Sequence, residues 1–141
     1  RGQQIRAWGG VGQGTQSIDG GTWQPYQPPW FPTPPFAEYV SGHSAFSASA
    51  AEVLRRFTGS DTFGFSTTIP AGESRFEPGI TPAQDVVLSY RTFSAASDEA
   101  GISRRYGGIH FEQGDVDGRV LGRLVGATVW GKTQRYINGL T

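Results

Sequence analysis

The 141 residues suffice to bury one core, and twelve basic and twelve acidic side chains cancel to a formal charge of zero, so no bulk field draws the chain to nucleic acid or an anionic membrane. Cysteine is absent, which excludes disulfides, thiolate metal sites and cysteine nucleophiles, and no apolar run approaches the ~18 residues of a membrane span. Any anion site must therefore be local, and a chain that opens on Arg1 without a methionine anywhere is expected to be a piece of a longer protein.

Residues 9 to 35, "GGVGQGTQSIDGGTWQPYQPPWFPTPP", hold six of the 21 glycines and six of the nine prolines, so neither a helix nor a central strand is expected to persist there. Trp23, Tyr26, Trp30 and Phe31 among those prolines suggest an ordered covering segment over residues 1–40. From Ser41, apolar Phe46, Ala50, Val53, Leu54 and Phe57 recur at three- and four-residue steps and Gly59 follows, which predicts a helix. A second loop is expected from Asp61 to about Asp85, punctuated by Gly64, Pro70, Gly72, Pro78, Gly79 and Pro82.

A helix over roughly Val86 to Tyr106 would turn Leu88, Phe93, Ala96 and Ala100 inward and stop at Gly107 and Gly108, with Gly101 as its one discordant residue. The last periodic run, about Asp115 to Ile137, has Val120, Leu121, Leu124, Val125, Val129 and Tyr136 as apolar positions. Its Gly118, Gly122 and Gly126 are four apart, which predicts a face where another backbone approaches closely. The expected fold is a single mostly α domain, 1–141, with three helices in 41–141 and long Gly/Pro-rich loops.

Two short stretches could carry chemistry. In "SGH", Ser41 to His43, a helix begins, and its first N–H groups together with the helix dipole favour an anion. Gly42 permits close backbone approach, Ser41 can cap the helix or donate its hydroxyl, and His43 would stand beside the bound group as acid or base. In "SRRYGGIH", Arg104 offers a planar fork suited to oxyanions, and His110 follows beyond a two-glycine break. Each piece alone also has a plain structural reading: a serine cap beside a surface histidine, and a solvated basic helix end beside a loop histidine.

Taken in order, "SGH" at a helix start and then "SR", five residues and "H" resemble the second and third signature motifs of a superfamily. Its members are type 2 phosphatidic acid phosphatases, bacterial acid phosphatases and vanadium-dependent haloperoxidases. "TPPFAEYVSGHSAFSASAAEVLRRFTGSD" and "EAGISRRYGGIHFEQGD" look most like the bacterial haloperoxidase-related branch, over Pro34 to about Tyr136.

The resemblance implies a helical bundle of the chloroperoxidase/acid phosphatase type, incomplete at its N-terminus. By the same resemblance, Ser41 and Gly42 hydrogen-bond the oxygens of vanadate or phosphate, Arg104 neutralises them and His43 is the acid/base residue. His110 would be the axial ligand of vanadium, or the nucleophile of a phosphohistidine in the phosphatase alternative. The partners implied are hydrogen peroxide and halide, or a phosphate ester, and also an N-terminal fragment of the same protein or a second copy of the chain. Such relatives are commonly secreted or periplasmic, while the residues themselves leave the compartment open. A third possibility is an inactive fragment or structural module with an incomplete oxyanion site.

Two departures from the pattern matter. The lysine and arginine of the first motif find no match before Ser41, where Arg1 and Arg6 are the only basic residues, so they are expected upstream of Arg1. Many members carry an aspartate four residues after the last histidine, where this chain has Gly114; Asp115 or Asp117 is the expected substitute for orienting His110. Phe36 resembles the aromatic found at that place in chloride-oxidising members, and could equally be core. "GGVGQG" lacks the lysine of a nucleotide loop, "DVDG" at 115–118 lacks the later ligands of a calcium loop, and the adjacent Asp98 and Glu99 read as a solvated face.

Overall fold

The structure is a computed structural model that describes residues 2–28, 30, 31, 33 and 35–140. Arg1 and Pro34, which bounded two of the expectations above, lie outside the described residues. The chain divides into two compact units, Arg1–Pro34 with Ser66–Leu88, and Pro35–Phe65 with Ser89–Thr141.

In the first unit, β1 (Gln4–Trp8) and β2 (Thr15–Asp19) form an antiparallel hairpin in the register Gln4↔Asp19 to Trp8↔Thr15, followed by a 3₁₀ turn at Gly20–Thr22. The glycine-rich 9–35 stretch thus carries a strand that its composition argued against: the glycines are concentrated in the hairpin connection, where Gly10, Gly12 and Gly14 take positive φ, and "TQSID" after them is free to pair. Tyr26 packs against Trp8 and Phe76 with ring centroids 4.7–5.2 Å apart. The buried Glu77 carboxylate accepts from Tyr26 Oη at 2.9 Å, Gly12 N at 3.0 Å and Trp8 Nε1 at 3.3 Å. Trp23, Trp30 and Phe31 are exposed, contrary to the expected packed role of all four aromatics.

The second unit holds three helices: α1 (Gly42–Thr58), α2 (Phe93–Tyr106) and α3 (Glu112–Ile137). Gly59 caps α1 in the left-handed conformation as the spacing predicts. The expectation of a mostly α fold needs correction, because β3 (Thr62–Ile69) and β4 (Val86–Thr92) pair as a second two-stranded sheet. β4 occupies what the periodicity assigned to the start of α2. Val86, Val87, Tyr90 and Thr92 favour extended backbone, and Thr92 then caps α2 by accepting from Ala95 N at 2.9 Å. Asp61 completes that helix end, accepting from Phe93 N and Ser94 N.

α3 packs on α1 through its glycines. A Cβ at Gly118 would stand 2.9 Å from Ser41 O, one at Gly122 would overlap Ala45 O and meet Ala48 Cβ at 2.8 Å, and one at Gly126 would meet Ser49 O at 2.6 Å. The fully buried apolar side chains are correspondingly small, Ala48 and Ala51. The larger apolar residues expected in a core remain outside it: Phe46 is 81% and Leu124 62% exposed, and Val120, Leu121, Val125, Val129 and Tyr136 are exposed as well.

Gly122→Ala is expected to destabilise the chain by about 1–3 kcal/mol, the cost of forcing an extra methyl into a closed contact. Gly131→Ala, where an added Cβ meets nothing within 4 Å, is expected to stabilise by about 0.5–1 kcal/mol through helix propensity. Urea unfolding followed by circular dichroism measures both, and equal stability of the Gly122 variant and the parent would refute the close-packing account.

Candidate oxyanion site

α1 begins at the site because Ser41 is its N-cap: extended backbone at φ −61°, ψ 120° precedes the helix, and the buried Oγ accepts from Ser44 N at 3.3 Å. That leaves the N–H groups of Gly42 and His43 without an intrahelical carbonyl. Gly42 keeps the approach open, since the nearest heavy atom to an added Cβ is in Phe46 at 4.0 Å. The cap is fixed to α3 by Ser41 N donating to Gly114 O at 2.9 Å.

Arg104 and His110 arrive from the other side of the chain. α2 ends with Gly107 N bonded to Ser103 O and Ile109 N to Arg104 O; Gly108 at φ 73° then reverses the chain, and His110 follows within two residues. Burial lowers the Arg104 pKa, the mark of a cation drawn out of water. Arg105 behaves differently, lying 3.4 Å from Glu112 and 3.8 Å from Asp115.

The pKa of His43 is lowered by partial desolvation of its ring, then by its electrostatic interactions with Arg104 and with His110. Arg104 and His110 are therefore each within electrostatic reach of His43. The neutral form of His43 persists to lower pH than in an ordinary histidine, leaving a ring nitrogen able to accept a proton.

Behind this cluster lies Asp115, one of the two carboxylates expected to orient His110, and it is completely buried. Its Oδ1 accepts from Ser44 Oγ and Arg119 Nε, each at 2.8 Å, and its Oδ2 pairs with an Arg119 terminal nitrogen at 2.6 Å. Asp117 is engaged with Tyr39 Oη and Gln113. The carboxylate at His110 is instead Glu38, whose Oε2 is 3.1 Å from Nδ1 and also 3.3 Å from Phe111 N. Glu38 was missed because it precedes the "SGH" motif and belongs to no expected helix; its signal was that only Asp19 and Glu38 are acidic before Ser41, while Gly114 lacks the usual carboxylate.

Gly101, discordant in the helix pattern, is explained by the same buried cluster: an added Cβ would lie 2.9 Å from both Arg119 Nε and Ser44 Oγ and would overlap Asp115. Asp98 and Glu99 are not a simple solvated face either, since Asp98 lies 3.5 Å from Arg119 and Glu99 accepts from Tyr90 Oη at 3.0 Å. "DVDG" lies inside α3, as expected of a helix segment, although α3 begins earlier, at Glu112. Phe36 is 62% exposed in this chain.

The donor set suits an oxyanion: two amides at a helix end, a hydroxyl, a desolvated arginine, and a histidine whose Nδ1 is taken by Glu38 so that Nε2 is the nitrogen left over. No group of three or more His, Asp or Glu side chains among the described residues is arranged for a cation.

Asp115→Asn should leave Arg119 with Asp98, 3.5 Å away, as its remaining charge partner and cost roughly 3 kcal/mol at neutral pH, the lower end for breaking a buried pair. Burial alone would raise the Asp115 pKa, but hydrogen bonds from Arg119 and Ser44, with the charges of Arg119 and Arg105, outweigh it and hold the carboxyl below its usual value. Its stabilisation is thus present above about pH 4 and lost as pH falls through the lower folded value. Unfolding midpoints between pH 7 and 2 should show this loss in the parent and a shallower one in the variant. In Arg104→Gln, NMR titration should find the His43 pKa moved upward, toward the ordinary value.

The chain is similar to a bacterial vanadium-dependent chloroperoxidase in its holo form (TM-score 0.86, 32% identity, 96% of this chain and 28% of that one). For an apo form the values are TM-score 0.88, 32% identity, 98% and 29%. A bacterial vanadium-dependent iodoperoxidase matches with TM-score 0.57 and 36% identity over 79% of this chain and 23% of that one. The chain thus spans less than a third of the length of these solved relatives. No curated protein matches it. The family model described as the VCPO second helical-bundle domain matches residues 1–139, and the chain belongs to that family.

Proposed function

We propose that this chain supplies the vanadate-binding part of a vanadium-dependent haloperoxidase that oxidises halide with hydrogen peroxide to hypohalous acid. The support for the reading is that His43, in the first turn of α1, lies within electrostatic reach of Arg104 and of His110, in a domain whose solved relatives are vanadium-dependent peroxidases. Bound vanadate would supply the Lewis-acidic centre at which peroxide is activated toward halide.

The chain's own residues divide the remaining work. The Gly42 and His43 amides and the Ser41 hydroxyl donate to anionic oxygens, while Arg104, already desolvated, neutralises charge without reorganising. His110 Nε2 would be the nitrogen that holds the vanadate. His43, whose pKa its surroundings lower, would take a proton from the incoming peroxide and return one to the leaving oxygen. Phe36, exposed in the loop before Ser41, is the residue we assign to the halide side. The exposed apolar faces of α1 and α3 are the surfaces that the rest of a full-length protein, or a second copy of the chain, would cover.

The protein that carries this chain should bind vanadate and brominate a dye with peroxide. His110→Ala should abolish vanadate binding, and His43→Ala should retain binding while lowering turnover about 10²- to 10⁴-fold. Hydrolysis of p-nitrophenyl phosphate without halogenation would move the assignment to a phosphohistidine phosphatase. Absence of binding and of both activities would leave an inactive structural module.

A further inference from the structure

We infer that Glu38 is the positioning residue for His110, taking over from a different element the task that an aspartate at position 114 would perform. The inference rests on the oxyanion reading of the site and deepens it.

The motif has a gap at this point: four residues after His110 stands Gly114, which has no side chain to offer the imidazole. The structure fills the gap from the loop before α1. Around the point where a Cβ of residue 114 would sit, the three nearest heavy atoms are Oε2, Cδ and Oε1 of Glu38, and Oε2 is the nearest. An aspartate carries its own carboxylate oxygens two bonds from its Cβ, and Glu38 Oε2 stands at that same remove. Glu38 therefore delivers an oxygen as near to residue 114 as the oxygens of an aspartate on α3 would be to their own Cβ, and it can do so only because residue 114 is glycine.

That oxygen is engaged as an orienting group should be. Oε2 faces His110 Nδ1 at 3.1 Å and accepts from Phe111 N at 3.3 Å, next to the start of α3, where the helix dipole favours a negative charge. Phe111 is the N-cap of α3 and makes no side-chain cap hydrogen bond, so the Glu38 carboxylate is the acidic group at that helix end that reaches the backbone. The His110 side chain is only 4% exposed, so water does not compete freely for its ring. A carboxylate on Nδ1 keeps the proton there and leaves Nε2 as the electron-pair donor. Asp115 cannot substitute, because both its oxygens are occupied by Ser44 and Arg119.

The test is a swap of the carboxylate between elements. The parent, Glu38→Ala, Gly114→Asp and Glu38→Ala/Gly114→Asp forms of the protein carrying this chain are compared by two readouts: long-range ¹H–¹⁵N spectra of the His110 ring in its neutral form, and vanadate affinity by calorimetry. The parent should show the Nδ1–H tautomer. Glu38→Ala should lose it and bind vanadate about 10- to 100-fold more weakly. Gly114→Asp alone should also be impaired, since its new side chain collides with Glu38 and sets two carboxylates together. The double variant should recover both the tautomer and most of the affinity, which a general structural defect would not.

An unchanged tautomer in Glu38→Ala, or a double variant no better than that single one, overturns the inference. If no form binds vanadate, the oxyanion reading fails while the ring spectra still decide the role of Glu38. Far-ultraviolet circular dichroism of each form confirms that it is folded.

Discussion

The contact of α3 with α1, backbone against backbone, is the constraint on which the helical unit depends. Gly118, Gly122 and Gly126 present a side-chain-free strip, and Ser41, Ala45, Ala48 and Ser49 fill it with carbonyls and methyls. Helices brought this close gain dispersion contacts along several turns, although they bury few large apolar side chains. A methyl group in the middle of the strip would have to move one of two backbones, and neither has slack.

The site is a consequence of that contact. The strip extends to Gly114, whose carbonyl holds Ser41 N and so sets the first turn of α1 against the first turn of α3. Directly behind, Ser44, Asp115 and Arg119 form a buried polar cluster that Gly101 lets α2 approach. The α2 terminus is thereby brought to the same place, with Arg104 and, after the glycine reversal, His110. Buried polar networks of this kind are costly unless satisfied, and here each member has a partner of the right charge.

The same architecture leaves much apolar surface uncovered. Phe46, Leu54 and Phe57 on α1 and Leu124, Val125 and Val129 on α3 are exposed, while the contacts between helices consume mainly small residues. The periodicity of these apolar positions is that of an amphipathic helix, and although Phe57 meets Trp130 with ring centroids 6.3 Å apart, the group remains exposed. The chain's share of its solved relatives, less than a third of their length, is in keeping with helices built to be packed on more than one side.

The sequence by itself determined α1, its serine cap and its glycine stop, the end of α2 at the glycine pair, the close-packed glycine face of α3, and the candidates Ser41, Gly42, His43, Arg104 and His110. These are legible because capping, helical periodicity and small-residue spacing are local, and because two histidines in a chain are few enough to weigh singly. Tertiary structure decided the rest. It chose β3 and β4 over loop and helix, since extended pairing depends on a partner strand that no local pattern reveals. It gave Asp115 to Ser44 and Arg119, and Glu38 to His110, because which carboxylate meets which ring is set by helix approach across more than seventy residues of chain and not by proximity in sequence.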